Sequence, residues 1–254
     1  MQIANPIYDV VLEFMLEDKE VAQLFISAII GVEVSDVECK KRQCMRRYLS
    51  DPKNKEEIKS GQPFCTIYRF DFSANVSLPD GNVKTVMIEV QKAMTASDMR
   101  SLYRYIGSAC RVVNYGIFLF GYDVGFDGCP VVYLNYTCEN HEKQKIELVE
   151  GESKEFIESL YPPTWLVQIN QLQQNCRNEM EKLLSIFSQT NRTPNQHILE
   201  IDESDFPEIY RPIIHRLHLA LENEDIKIEM AIEDDYMKTI PTEELGILPT
   251  KTRN

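Results

Sequence analysis

Asp71 in YRFDFSANV and Glu89 in VMIEVQK stand on either side of Leu78-Pro79-Asp80-Gly81-Asn82. A Pro-Asp-Gly loop favours a type I turn whose glycine takes the left-handed conformation and forms a bulge, giving a three-residue hairpin loop. With that loop Leu78 faces Asn82, and counting outward sets Asp71 opposite Glu89, with Cβ atoms roughly 5 Å apart. Facing carboxylates repel unless a positive charge lies between them, and a divalent cation supplies one. Mg²⁺ takes oxygen ligands and keeps several waters, so one or two carboxylates plus substrate phosphates complete its shell. Two acids on rigid strands therefore suit metal-assisted hydrolysis of a phosphodiester. The same residues also allow plainer chemistry. Asp71 can pair with Arg69 or Arg100, a carboxylate on a strand face can simply be solvated, and a changed loop type would set Asp71 opposite Val90.

Side chains alternate along a strand. Gln91 thus shares a face with Glu89, while Asp71, Ser73 and Asn75 share the acid-bearing face of the partner strand. Phe70, Phe72, Ala74 and Val76 form the core side. Lys92 falls on the core side with Val90, and reaches Gln91's surroundings only if a bulge or twist redirects it. Further along, Arg100, Arg104 and Arg111 lie near one face of an expected helix whose other face carries Leu102, Ile106, Ala109 and Val113. Those arginines can steady a phosphate, or pair with Asp98 or another acid. A basic loop with Lys40, Lys41, Arg42, Arg46 and Arg47 can grip phosphates, or simply be solvated beside Asp51, Glu56 and Glu57.

The elements that must position these residues follow from periodicity. Pro6 to about Ile30 reads as helix, with Val10, Val11, Phe14, Val21, Leu24, Phe25 and Ala28 on one stripe, a break near Glu17-Asp18-Lys19 and a stop at Gly31. Val32 to Cys39 reads as a strand, 40–62 as a polar connection, and about 64–78 with 83–92 as the long hairpin. Met94 to Val113 is the expected helix, Tyr115 to Tyr122 a strand buried on both faces, and Val131 to Cys138 another strand. Thr164 to Ile169 suits a strand and Leu172 to Ser188 an amphipathic helix. Residues 191–205 read as a linker, followed by helices at about 207–222 and 225–238.

The chain has 254 residues, room for one α/β domain with an appendage. Its 27 basic and 40 acidic side chains give a net charge of −13, which opposes non-specific binding to a polyanion. The imbalance is uneven: residues 61–120 carry 6 basic and 4 acidic groups, whereas 201–254 carry 6 and 13. A local DNA-facing surface on an acidic body fits that distribution. Seven cysteines without a C-x-x-C pair read as reduced cytosolic thiols. The four histidines are too dispersed for a zinc site. No signal peptide is visible at MQIANPIYDV and no apolar run approaches membrane-spanning length, so a cytoplasmic protein without membrane contact is expected.

The stretches NPIYDVVLEFMLED, LFISAIIG, YRFDFSANV, VMIEVQKA and MRSLYRYIG, in this order over roughly residues 4 to 190, resemble the PD-(D/E)XK nuclease superfamily. More narrowly they resemble the recombination-promoting nucleases, the PD-(D/E)XK family transposases. The resemblance implies an α/β restriction-endonuclease-like core, a mixed central sheet flanked by helices, over residues 1–200. Residues 201–254 then form an acidic helical C-terminal extension. It further implies a Mg²⁺- or Mn²⁺-dependent DNA endonuclease linked to recombination or mobile elements. Asp71 matches the first metal-binding acid and Glu89 the second. Gln91 stands where the superfamily usually has lysine, and Asp9 matches an acid on the first helix. Arg100 or Arg104 is placed to stand in for that lysine, with Lys92 and Ser73 as further substrate contacts. Two departures matter: glutamine supplies no positive charge, and Glu13 replaces a lysine of the family helix. They leave a second expectation, a catalytically lapsed member of the fold acting as an interaction or DNA-associated module. Nothing in the residues shows strand transfer, and a homo-oligomer stays open.

Overall fold

The computed structural model describes residues 1–41, 72–92, 114–122, 126, 128–134, 138–139, 145–146, 162–172 and 176–239. A six-stranded mixed sheet forms its centre. The strands are β2 (Asp36–Lys41), β3 (Phe72–Ser77), β4 (Val83–Gln91), β5 (Tyr115–Phe120), β6 (Val131–Leu134) and β9 (Thr164–Gln168), ordered β2-β3-β4-β5-β9-β6. β2, β3 and β4 run antiparallel in turn, β5 is parallel to β4 and β9 to β5, and β6 closes the row antiparallel to β9. A short separate ladder joins β7 (Cys138–Glu139) and β8 (Lys145–Ile146), and another joins β1 (Gln2–Ala4) to β10 (Ile198–Glu200).

The β3–β4 hairpin has the register its turn chemistry demands. Ser77 pairs with Val83 and Phe72 with Ile88. The Leu78 amide donates to the Asn82 carbonyl at 2.9 Å, and the Gly81 amide returns to the Leu78 carbonyl at 2.9 Å. Gly81 takes φ +83°, which a side chain would strain. Along β3 burial alternates residue by residue, with Phe72, Ala74 and Val76 inward. β4 differs: from Val86 to Gln91 every residue is buried. Val86, Ile88 and Val90 join the main core, while Met87 is buried outside it, as are Phe118 and Phe120 of β5. Both faces of the central strands are therefore covered, as the unbroken apolar run of β5 requires.

The expected N-terminal helix is two helices, α1 (Asp9–Glu17) and α2 (Lys19–Ile30), broken at Asp18. Asp18 is extended, and its carboxylate accepts from the Glu20 and Val21 amides at 3.1 and 3.2 Å, so it restarts the helix as an N-cap. Gly31 at φ +70° ends α2. In place of one helix over 172–188 there is α3 (Glu179–Leu184), capped by Asn178 and followed by a tighter turn at Ser185–Phe187. Residues 191–205 are not a bare linker, since they contain β10. The helix expected over 94–113 lies outside the described residues.

The helices after residue 200, α4 (Arg211–Leu219) and α5 (Glu224–Thr239), share the main core. Ile213, Ile214 and Leu217 are fully buried with Val11, Met15, Phe25 and Ile29 of the first two helices. Full burial of such a side chain is worth about 1.5–3 kcal/mol. No helix among the described residues is long and apolar enough to cross a membrane.

Candidate functional site

Glu89 and Gln91 close β4 at its carboxyl end, on the face opposite Val90. Parallel pairing sets Phe118 beside Glu89 and Phe120 beside Gln91. The Phe118 and Phe120 rings are stacked 6.2 Å apart, and Tyr122 follows at 5.3 Å from Phe120. Glu89 is 1% exposed and Gln91 9%. A solvated strand-face carboxylate, the plainer of the two chemistries, does not describe Glu89. Removing a carboxylate from water costs far more than removing an amide, so such a group needs donors or cations around it.

One donor is Gln91 itself. Its Nε2 donates to Glu89 Oε1 at 2.8 Å, and its own Oε1 accepts from the Tyr122 hydroxyl at 2.8 Å. With Glu89 ionised, its carboxylate only accepts and so takes the nitrogen end of the amide. Tyr122 escaped the sequence reading, although a signal was there. Phe118, Phe120 and Tyr122 alternate onto one face of GIFLFGY, so a parallel neighbour ending in Gln91 meets the third of them.

The strand end carries a second polar constellation on its other side. Lys92 turns away from Glu89, as alternation requires. Its ammonium lies 3.0 Å from Glu233 Oε1, 3.3 Å from Asp234 Oδ1 and 3.0 Å from the centre of the Tyr8 ring. Asp234 also accepts from the Tyr8 hydroxyl at 2.9 Å and meets His197 Nε2 at 2.8 Å, and the Asp9 amide donates to Glu233 Oε2 at 3.3 Å. The environment pushes the two acids apart. Burial raises the Glu233 carboxyl, against the lowering by Lys92. Burial also acts upward on Asp234, but donation from His197, Tyr8 and Lys92 outweighs it and holds that carboxyl below its ordinary value. Burial and the bond to Asp234 push the Tyr8 hydroxyl well above the usual phenol range. This cluster joins residues from four distant parts of the chain, and no local pattern announces it.

The remaining expected residues divide. Ser73 is half-buried on the polar face of β3, opposite Met87 of β4. Asp9 opens α1 at the same end as Lys92, through Glu233. Glu13 is buried on α1, so its position is not an exposed surface. Asp71, Arg100 and Arg104 lie outside the described residues, Asp71 by one position. Among the described residues no three His, Cys, Asp or Glu side chains gather into a metal-holding group. Glu89 nonetheless suits a hard divalent ion as one ligand, being a carboxylate held in a water-poor wall by an amide donor that leaves its second oxygen to other partners.

No family model matches the sequence, and no curated protein or solved structure matches it significantly.

Proposed function

We propose that the chain is a metal-dependent DNA endonuclease of the PD-(D/E)XK type, cytoplasmic and tied to recombination or mobile elements, built on a restriction-endonuclease-like core. The observation that carries this reading is the end of β4. The hairpin keeps the register from which Asp71 is expected to face Glu89, and Glu89 is a buried carboxylate rather than a solvated one. The sheet supports it too: β2, β3 and β4 run antiparallel and β5 parallel to β4, a mixed central sheet of the kind the resemblance implies. Glu89, Gln91 and Tyr122 lie at the carboxyl ends of parallel strands, where open α/β sheets bind ligands.

In this reading Asp71 and Glu89 would hold Mg²⁺ or Mn²⁺, which would supply Lewis acidity and a water activated at neutral pH. Gln91 fixes the Glu89 carboxylate. Asp9, whose amide meets Glu233 on the other side of the strand end, is the further acid the resemblance implies, and Arg100 and Arg104 would steady the scissile strand, with Ser73 on the polar face of β3. Hydrolysis would form a P–O bond to the water oxygen, break the P–O3′ bond, and leave a 5′-phosphate and a 3′-hydroxyl. The test is supercoiled plasmid with Mg²⁺ or Mn²⁺, beside Asp71→Ala, Glu89→Ala and an EDTA control. Nicking abolished in all three controls is the expected result, and intact plasmid with folded wild-type protein overturns the reading.

One observation favours the lapsed module instead. Both ends of the Gln91 amide are engaged, the nitrogen with Glu89 and the oxygen with Tyr122, and an amide brings no positive charge to a phosphate. That reading expects no nicking, together with a partner pull-down that survives Asp71→Ala.

A further inference from the structure

We propose that Tyr122 is a positioning residue for the Glu89 carboxylate, acting through the Gln91 amide. Its relevance to metal binding rests on the nuclease reading, whereas its effect on the amide does not. A glutamine amide has two orientations of nearly equal shape, with oxygen and nitrogen exchanged. Turned over, Gln91 would set its oxygen against Glu89 Oε1 at the present 2.8 Å, acceptor against acceptor. The acceptor-only carboxylate excludes that flip, and Tyr122 anchors the amide from the far end by donating to Gln91 Oε1. Donation therefore runs one way, from Tyr122 to Gln91 to Glu89, and each bond in such a chain polarises the next.

This arrangement answers the replacement at position 91. A lysine ammonium donates in every rotamer and needs no group behind it. Glutamine donates from one end alone; the carboxylate selects that end, and a third residue behind the amide is needed to hold it against the acid. The backbone brings that residue within reach. The Gly121 amide donates to the Gln91 carbonyl at 2.8 Å, and a Cβ at Gly121 would lie 2.7 Å from the Lys92 carbonyl oxygen. Glycine thus lets the end of β5 close onto the end of β4, and the next side chain, Tyr122, reaches Gln91.

The test compares wild type, Y122F, Q91K and Q91K/Y122F by side-chain amide NMR without metal and by calorimetric titration with Mn²⁺. In wild type the Gln91 NH₂ pair should resonate away from free glutamine and exchange slowly with solvent. In Y122F it should move toward the free position and exchange faster. Mn²⁺ affinity should fall about tenfold, the low end for losing a group that orients a metal ligand. In the Q91K background, Y122F should change Mn²⁺ affinity less than twofold. An equal loss there assigns Tyr122 to ring packing on Phe120 and overturns the proposal. So does a wild-type Gln91 amide that behaves as free glutamine, a result needing no variant to fold. A wild type that binds no Mn²⁺ sinks the nuclease reading, and the amide signals then still decide whether Tyr122 orients Gln91.

Discussion

Replacing Lys92 by methionine keeps the length of the side chain and removes its charge from between Glu233, Asp234 and the Tyr8 ring. At 3.0 Å, an effective dielectric of about 20 puts the Glu233 contact near 5 kcal/mol before desolvation is subtracted. Removing one partner of a buried pair costs about 3–5 kcal/mol in practice, and a desolvated cation over an aromatic ring adds about 2. Two things reduce the bill. Asp234 keeps donors from Tyr8, His197 and Gln196, and Glu233 can take up a proton. We expect about 3 kcal/mol, which for a chain of this size lowers Tm by about 6–12 °C. The pH dependence separates charge from packing. Glu233 is raised, so its contribution is full below the ordinary 4.5 and is lost as pH climbs through its folded value. Asp234 is depressed, so its contribution is present above 3.8 and is lost as pH falls through its folded value. Without Lys92 both acids resist ionisation more strongly, and the gap between wild type and K92M should widen from pH 4 to pH 8. Urea unfolding at both pH values measures it. A gap under 1 kcal/mol, or one equal at the two pH values, would refute the ion-pair reasoning.

Two further substitutions test local claims. Asp18→Ala should cost about 1 kcal/mol in urea unfolding by stripping the cap from α2, and Asp18→Ser should recover most of it. Gly121→Ala forces a Cβ to 2.7 Å from the Lys92 carbonyl oxygen and 3.0 Å from Ile7 Cδ1, and should cost about 1–3 kcal/mol. Gly81→Ala meets no atom within 4 Å, so its loss should come from the positive φ alone, about 1–2 kcal/mol.

How much was legible depended on how local the cause is. The hairpin register followed from Pro79-Asp80-Gly81, because a three-residue loop with a left-handed glycine leaves the strands no choice of pairing. The split at Asp18 and the stop at Gly31 were visible for the same reason: a cap is chemistry within four residues. β1 and β10 were missed, since three-residue strands are too short to show a period of two. The linker reading of 191–205 failed with them. The cluster around Asp234 draws on Tyr8, Lys92 and His197, and its pairing exists only once the tertiary fold has formed. The burial of Glu89 was hidden too. Alternation marked its face as polar, but what lies over that face depends on elements far along the chain.

The period of two also bears on a question of charge within the proposed function. Lys92 is adjacent to Gln91 in sequence and is the natural candidate to replace a lysine missing at position 91. Alternation carries it to the opposite side of the sheet, and there its ammonium is held by Glu233, Asp234 and the Tyr8 ring. To reach a phosphate beside Glu89 it would have to abandon two carboxylates and cross the strand end, at the roughly 3 kcal/mol worked out above. A bound phosphate at an exposed lysine does not return that much. In the proposed function the positive charge at the phosphate would then be left to the metal and to Arg100 or Arg104. K92M, once corrected for its stability, should therefore leave Mn²⁺ affinity and nicking within about twofold of wild type, while Arg100→Ala and Arg104→Ala together should lower plasmid affinity. Nicking lost in a folded K92M protein would return Lys92 to the substrate and show that the Glu233–Asp234 contact opens during the reaction.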